Sequence, residues 1–198
     1  MGGALTQVLE KKEMADIIDL KLVPFGNTHV DASNVYHCQH GVGECMSDVI
    51  MQCALYKLTD NIADIKSGVN SLVAWPFIHC LVVDNKGHPV SAENCFKETM
   101  AKSTSLLWTS VIDCYQHNTS LVQATAMAAT PPHEYTAWII VKGNHVADGN
   151  ALMSVVCNAY TGNKPAVCAT ASPLLELFNK QKKSSGKRGP AASPFEWI

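Results

Sequence analysis

Apolar residues at the start of the chain recur at two different spacings. Over residues 5–18 they approximate the helical period, and the charged residues between them fall on the opposite side. Residues 19–25, with the sequence DLKLVPF, alternate in polarity instead and end in a Pro-Phe-Gly-Asn turn signal. We therefore predict a leading helix, a short strand over residues 19–25, and a loop over residues 26–43 that is rich in His, Asn and Gly.

Helical spacing dominates the middle of the chain. The apolar pattern and the polar capping residues predict five helices. They cover residues 44–58, 70–83, 91–100, 103–117 and 120–129, and residues 84–89 form a turn between the second and the third.

The pattern changes again near residue 135. Residues 135–141 are rich in aromatic and β-branched side chains, and Lys142-Gly143-Asn144 is typical of a hairpin turn that leads into a return strand at His145. A last helix over residues 150–160 follows. The resulting order of helix, strand, helical insert, two strands and helix indicates an α/β (α+β) fold, and it is compatible with a thioredoxin-like plan without singling that plan out.

The composition of the last thirty residues differs from the rest. Residues 180–188 carry five of the fifteen basic residues and are followed by Gly, Pro, Ala and Ser. We predict that residues 169–198 form a flexible basic C-terminal tail. Such a tail either contacts anionic surfaces or is simply solvated.

Overall composition excludes several classes of protein. A hydrophobic content of 47% with 16% charged residues is typical of a globular chain. A net charge of −2 gives no basic field for nucleic acid. The longest apolar run, residues 72–83, contains Pro76 and His79 and is too short to cross a bilayer. We expect no transmembrane segment and no nucleic-acid partner.

The chain contains eight cysteines, an even number that allows four disulfides in an oxidising compartment. A glycosylation sequon begins at Asn118. Both features favour the secretory pathway, although residues 1–30 do not resemble a signal peptide, so we expect that a signal was removed ahead of Met1. The candidates for disulfides are Cys38, Cys45, Cys53, Cys80, Cys95, Cys114, Cys157 and Cys168.

Sequence leaves the pairing of these cysteines open, since eight allow about 105 connectivities. The favoured single pair is Cys157 with Cys168, which flank a loop containing Gly and Pro. The spacing of Cys38, His40 and Cys45 does not match structural zinc sites, so we expect no metal and no cofactor. His40 either activates a neighbouring thiol or makes a hydrogen bond within its turn.

Residues 38–53, CQHGVGECMSDVIMQC, resemble the signature C-Q-H-G-x2-E-C-x2-N-x4-C of the gamma-interferon-inducible lysosomal thiol reductases. The matching residues are Cys38, Gln39, His40, Gly41, Glu44, Cys45 and Cys53, whereas Asp48 replaces the Asn of the signature. Residues 22–27, 131–135 and 157–168 are similar to further blocks of that family, in the same order along the chain.

The resemblance implies a thioredoxin-like domain over residues 1–168 with a large helical insertion at about residues 50–129. Its sheet would lack the first strand. The family places that strand upstream of the block that matches residues 22–27, and only 21 residues precede this block here. We expect the exposed edge to be covered by a partner chain, which includes a second copy, or by residues 174–178 and 195–197.

The same resemblance also shows two departures from a working reductase. The family places a C-x-x-C upstream of the segment that matches residues 22–27, and here Met1 and Ala4 stand at the positions of its two thiols. The family's V-P-W contains a proline that resembles the cis-proline of thioredoxin folds, and here it is Ala137. Because a cis bond before a non-proline residue costs about 2.5–4 kcal/mol, we predict that the Thr136–Ala137 bond is trans.

Two functions remain open at this point. The first is a secreted, disulfide-braced protein of this family that lacks thiol reductase activity and acts by binding a protein partner. The alternative is an active reductase of protein disulfides, whose C-x-x-C lies upstream of Met1 or which uses Cys38 and Cys45 instead. The expected location is extracellular, with the lysosome or endosome as the alternative.

Overall fold

A computed structural model describes residues 2–66, 68–171 and 196–197 of the chain. It divides into two compact units, one formed by Met1–Ile18 and Trp138–Glu196 and the other by Asp19–Ala137 and Trp197–Ile198. Met1, Ser67, residues 172–195 and Ile198 lie outside the described residues, and they include the first predicted thiol position and most of the predicted basic tail.

The described residues contain ten α-helices. They are α1 (Gly2–Leu9), α2 (Lys12–Ala15), α3 (Val42–Lys57), α4 (Gly68–His79), α5 (Ala92–Glu98), α6 (Met100–Ser103), α7 (Trp108–His117), α8 (Thr119–Ala129), α9 (Leu152–Ala159) and α10 (Val167–Ala171). Short 3-10 turns cover Ile62–Lys66, Pro89–Ser91 and Gly149–Ala151, and a π-helical turn covers Cys80–Asp84.

Two small sheets accompany the helices. The strands are β1 (His29–Val30), β2 (Tyr36–His37), β3 (Ile139–Val141), β4 (Asn144–His145) and β5 (Glu196–Trp197). β1 and β2 form an antiparallel pair, and the second sheet has the order β4-β3-β5. The chain is therefore a mainly helical protein with little sheet.

The predicted leading helix is broken into two pieces. Lys11 has an extended backbone, with φ −85° and ψ 103°, between α1 and α2. Both pieces still bury apolar side chains, Leu5 and Val8 in the first and Met14 in the second. Met14 lies against Cys168 of α10, with 4.0 Å between the two sulfurs. The two short helices are thus held in this unit by packing against α9 and α10 and do not form one continuous helix.

The predicted strand over residues 19–25 is wrong. The segment has no strand, although Leu20, Val23 and Phe25 are buried. Side chains of neighbouring helices satisfy its backbone: Leu22 N donates to Ser71 Oγ at 2.9 Å, and Gln52 Nε2 donates to Pro24 O at 2.6 Å. The alternation in the sequence therefore reflects burial and not strand pairing, and the strands form in the predicted loop instead, as β1 and β2.

The predicted hairpin at residue 142 is confirmed. Val141 lies opposite Asn144, and the two residues between them, Lys142 and Gly143, have φ values of 46° and 74°. Positive φ at both positions suits the two-residue turns that match the twist of a hairpin. The strand before the turn is shorter than predicted and begins at Ile139.

α3 is the central element of the larger unit. It contacts α4, α7 and α8, and its residues Cys53, Ala54 and Leu55 are fully buried. α3 begins at Val42, two residues before the predicted start of this helix at residue 44. The predicted helix over residues 91–100 is divided at Thr99, whose φ of −120° and ψ of −83° separate α5 from α6.

Candidate functional site

All eight cysteines lie in the described residues, and all are paired. The disulfides are Cys38–Cys45, Cys53–Cys114, Cys80–Cys95 and Cys157–Cys168, and no cysteine is free. The predicted pair Cys157–Cys168 is confirmed, and so is the interpretation of the cysteines as disulfides. Among the residues that the structure describes, no three His, Cys, Asp or Glu side chains converge as a metal site.

The three cysteines of the signature belong to two different disulfides. Cys38 and Cys45 join the end of the β1–β2 hairpin to the start of α3. Cys53 lies two turns further along α3 and is bonded to Cys114 of α7. Both members of this second pair are fully buried, whereas Cys38 and Cys45 are half-buried. The signature therefore fixes α3 at two points. Cys38–Cys45 holds its N-terminus, and Cys53–Cys114 holds it two turns further along.

The turn between Cys38 and Cys45 is held by Glu44. Its Oε2 accepts a hydrogen bond from the backbone N–H of His40 at 2.7 Å, and its Oε1 lies 3.1 Å from His40 Nδ1. Gly41 precedes α3 with a φ of 90°, which favours glycine at this position. His40 thus makes the hydrogen bond within its turn that the sequence allowed.

Residues 22–27 and the signature meet in space. Asn27 Nδ2 donates to Gln39 Oε1 at 2.8 Å. Gly26, with a φ of 59°, packs so closely that a Cβ there would lie 3.6 Å from Glu44 Oε1 and 4.0 Å from Asp48 Oδ2. Two sequence blocks that are separate in the chain therefore form one structural site in the larger unit.

Asp48 is the residue that sequence reasoning undervalued, because the change from Asn looked conservative. Its Oδ2 is buried and has no hydrogen-bond partner among the described residues. Burial, and secondly the negative charge of Glu44, raise the pKa of Asp48 to about 7. A carboxyl group that is half protonated near neutral pH is thus placed one turn after Cys45. The Asp in place of the signature's Asn was the sequence feature that could have pointed to this carboxyl group.

The polar face of α3 continues one turn beyond Asp48. Gln52 is buried, its Nε2 is bound to Pro24 O, and its Oε1 has no partner within the described part of the chain. Glu44, Asp48 and Gln52 are spaced four residues apart and so share one face of the helix. This face contacts the segment that contains Pro24 and Gly26.

The histidine-rich loop before the signature is a hairpin closed by Asp31. Asp31 Oδ1 accepts hydrogen bonds from Ser33 N at 2.8 Å and from Val35 N at 3.0 Å, and its Oδ2 lies 2.8 Å from His37 Nε2. The bond to His37 is the main cause that lowers the pKa of Asp31 to about 2. His29 stacks on His37 with ring centroids 4.9 Å apart.

Of the three residues predicted to mark a lost active site, Ala4 and Ala137 are described, and they belong to different units. Ala4 lies half-buried in the first turn of α1, and its assignment to the second thiol position stays a prediction. The Thr136–Ala137 bond is cis, so the predicted trans bond is wrong. The prediction used the cost of a cis bond in a free peptide, and that cost alone does not decide the bond in a folded protein.

Asn118 lies between α7 and α8 and is partly exposed. Its N–H donates to Cys114 O at 2.7 Å and its carbonyl accepts from Val122 N at 3.0 Å, so the backbone of the sequon belongs to a helix junction. Glycosylation at this position stays a prediction.

Comparison with known proteins identifies a family for this chain. The family model described as Gamma interferon inducible lysosomal thiol reductase (GILT) matches residues 1–99, half of the chain and the part that contains the signature. The chain belongs to the GILT family. In this GILT chain, none of the helices among the described residues is long and apolar enough to cross a membrane.

Individual GILT relatives align with most of the chain. The Gamma-interferon-inducible lysosomal thiol reductase of Carassius auratus is 32% identical over an alignment of 170 residues, and the alignment covers 78% of this chain and 61% of that protein. The Gamma-interferon-responsive lysosomal thiol protein of Arabidopsis thaliana is 29% identical over 173 residues, or 82% and 66%. The Mus musculus reductase is 27% identical, with 78% and 60% covered. The chain thus spans about three-fifths to two-thirds of these relatives.

Proposed function

We propose that residues 1–198 form a disulfide-braced, thioredoxin-like GILT domain that binds a protein partner and has no thiol reductase activity of its own. One observation carries the proposal: all eight cysteines are consumed in four disulfides, and none of the pairs is a C-x-x-C. Reduction of a substrate disulfide needs an attacking thiolate and a second cysteine that resolves the mixed disulfide. The described residues supply neither in free form.

Exposed apolar side chains support the binding half of the proposal. Val42 at the start of α3 is 78% exposed, and Val90 in the turn before α5 is 88% exposed. A Cβ on Gly43 would lie 3.8 Å from Pro89 Cδ. The start of α3, which contains Val42, is therefore next to the turn that contains Val90. The proposed partner is another protein or a second copy of this chain, and the basic tail is proposed to contact anionic surfaces.

The disulfides also support a location outside the cytosol. Four disulfides in one chain are typical of an oxidising compartment, and glycosylation at Asn118 would be added on the same route. We propose a secreted protein, with the lysosome or endosome as the alternative that the relatives' names favour.

The second candidate function is an active reductase of protein disulfides. It is favoured by the names of the relatives and by the fact that the chain spans only 61% of the first of them. In that case a C-x-x-C would be contributed by residues ahead of Met1, or Cys38 and Cys45 would act as the exchanging pair.

A disulfide-reduction assay separates these functions. Residues 1–198 are expected to reduce insulin no faster than the chemical reductant alone, at acidic and at neutral pH, because they contain no C-x-x-C that could attack a substrate disulfide and resolve the mixed disulfide. A GILT family member with a C-x-x-C serves as the positive control, and Cys38→Ala/Cys45→Ala serves as the matched variant.

A rate comparable to the positive control would overturn the proposal. If that rate disappears in the double variant, Cys38 and Cys45 are the exchanging pair. If a longer chain, extended upstream, is active while residues 1–198 are not, the reductase function belongs to the whole protein and the upstream alternative is correct.

A further inference from the structure

We propose that the Cys38–Cys45 disulfide is a thiol-exchange site, which low-molecular-weight thiols open while the other three disulfides stay closed. This goes beyond the proposed function and does not depend on it. A single exchange at one disulfide is a different event from repeated reduction of protein substrates. The chemical class of the reactant is a monothiol such as glutathione.

Partial exposure of both cysteines carries the first step. Exchange requires a thiolate to approach one sulfur of the disulfide from outside the protein. Cys38 and Cys45 are both half-buried, so each cysteine of this disulfide is partly exposed to solvent. In each of the other three disulfides at least one cysteine is buried: Cys53 and Cys114 are 0% exposed, Cys95 is 1% and Cys157 is 2% exposed.

The position of Cys45 gives the exchange a direction. Cys45 is the fourth residue of α3, a helix of 16 residues, and its backbone N–H lies in the first turn. The N–H of Cys45 itself donates to Gly41 O at 3.4 Å, so it is the partial positive charge of the helix N-terminus that favours a thiolate there. Cys45 is therefore the better leaving group, and the incoming thiolate attacks Cys38 Sγ.

The charged groups around the disulfide permit this outcome. Glu44 precedes Cys45, but both of its oxygens are engaged by His40, with distances of 2.7 and 3.1 Å. Asp48, one turn further along α3, has its pKa raised to about 7 by burial and is therefore largely neutral below that pH. His37, which directly precedes Cys38, is paired with Asp31, with 2.8 Å between His37 Nε2 and Asp31 Oδ2.

The electron balance is that of ordinary thiol–disulfide exchange. One external thiolate attacks Cys38 Sγ, forms a mixed disulfide with it and releases Cys45 as a thiolate. A second external thiolate attacks the external sulfur of that mixed disulfide, which releases Cys38 as a thiolate and forms the disulfide of the external thiol. Two external thiols are oxidised, one protein disulfide is reduced, and protons are exchanged with water.

Opening of the disulfide leaves the surrounding contacts in place. The turn is still held by Asn27 to Gln39 at 2.8 Å and by Glu44 to His40 N. Thr28 Oγ1, which donates to Phe25 O at 2.6 Å, lies 3.2 Å from Cys38 Sγ and keeps that end against the segment before it. The reduced form therefore keeps the fold of the larger unit.

The test titrates the native protein with glutathione near pH 7, quenches with an alkylating agent and maps labelled cysteines by peptide mass. Cys38 and Cys45 are expected to be labelled at a glutathione concentration about tenfold below that needed for any other pair. Cys157–Cys168 is the matched control, because it closes a similarly short loop, with a separation of 11 against 7, but is buried.

Labelling of Cys157 and Cys168, or of Cys80 and Cys95, before or together with Cys38 and Cys45 would overturn the proposal. A short exposure to low glutathione gives the second readout, since the trapped mixed disulfide is expected on Cys38. Its appearance on Cys45 would contradict the assigned direction of attack. Far-ultraviolet circular dichroism of the reduced sample is expected to match that of the oxidised sample, and loss of helix signal would count against selective opening.

Discussion

Replacing Cys53 and Cys114 with alanine is expected to lower the free energy of unfolding by about 4 kcal/mol. The disulfide closes a loop with a sequence separation of 61, and constraint of the unfolded chain grows with the length of the closed loop. Both cysteines are also fully buried between α3 and α7, so the alanines leave space in the core. Urea unfolding, followed by circular dichroism, measures the loss.

The matched control for this change is Cys38→Ala/Cys45→Ala. That disulfide has a sequence separation of only 7 and lies at the edge of the same unit, so its loss is expected to cost about 2 kcal/mol. Equal losses in the two double variants, or a larger loss in the control, would show that the Cys53–Cys114 disulfide is not the main brace of the helical unit.

Replacing Asp48 with asparagine is expected to stabilise the protein by up to about 4 kcal/mol at a pH of about 7.5, and by almost nothing at a pH below about 4. Burial raises the pKa of Asp48 from 3.8 to about 7 in the folded state. Below 3.8 the carboxyl is protonated in both the folded and the unfolded chain, so it contributes no pH dependence there.

Between these two values the unfolded chain has lost the proton while the folded chain still holds it. Stability therefore falls as the pH rises from 3.8 to about 7, and the full penalty is present above that. Asparagine does not ionise and has the shape of a protonated aspartate, so Asp48→Asn removes the penalty. Urea midpoints at several pH values measure the difference between wild type and variant.

Asp31→Asn is the matched control for Asp48→Asn, because it makes the same chemical change at an exposed carboxylate. The pKa of Asp31 is lowered to about 2, mainly by its hydrogen bond to His37. Its contribution is present above 3.8 and is lost as the pH falls towards 2, so this variant is expected to be destabilised at neutral pH. A gain for Asp48→Asn that is equal at all pH values would refute the buried-carboxylate explanation.

The sequence predicted the features that depend on local chemistry. The hairpin at Lys142 and Gly143 followed from the positive φ that such turns require, and the even number of cysteines predicted four disulfides. The family followed from the residues of the signature, which the match over residues 1–99 supports. The turn and the signature are read from a few adjacent residues, and the disulfides from a simple count of cysteines.

The features that depend on distant contacts could not be predicted in the same way. Residues 19–25 alternate like a strand, yet Ser71 and Gln52 from two helices satisfy the backbone of Leu22 and Pro24. The partner of Cys53 lies 61 residues away, beyond any local rule. The ionisation of Asp48 depends on burial and on Glu44, and burial depends on how residues 22–27 pack on α3.

Alkylation of the denatured but unreduced protein, followed by intact mass measurement, tests most directly whether residues 1–198 lack a free thiol. No alkyl group is expected to be added before reduction, and eight are expected after it, because all eight cysteines are paired. Addition of one or more groups before reduction would show a free cysteine in the native protein. That result would contradict a GILT domain without thiols of its own and would restore Cys38 and Cys45 as candidates for catalysis.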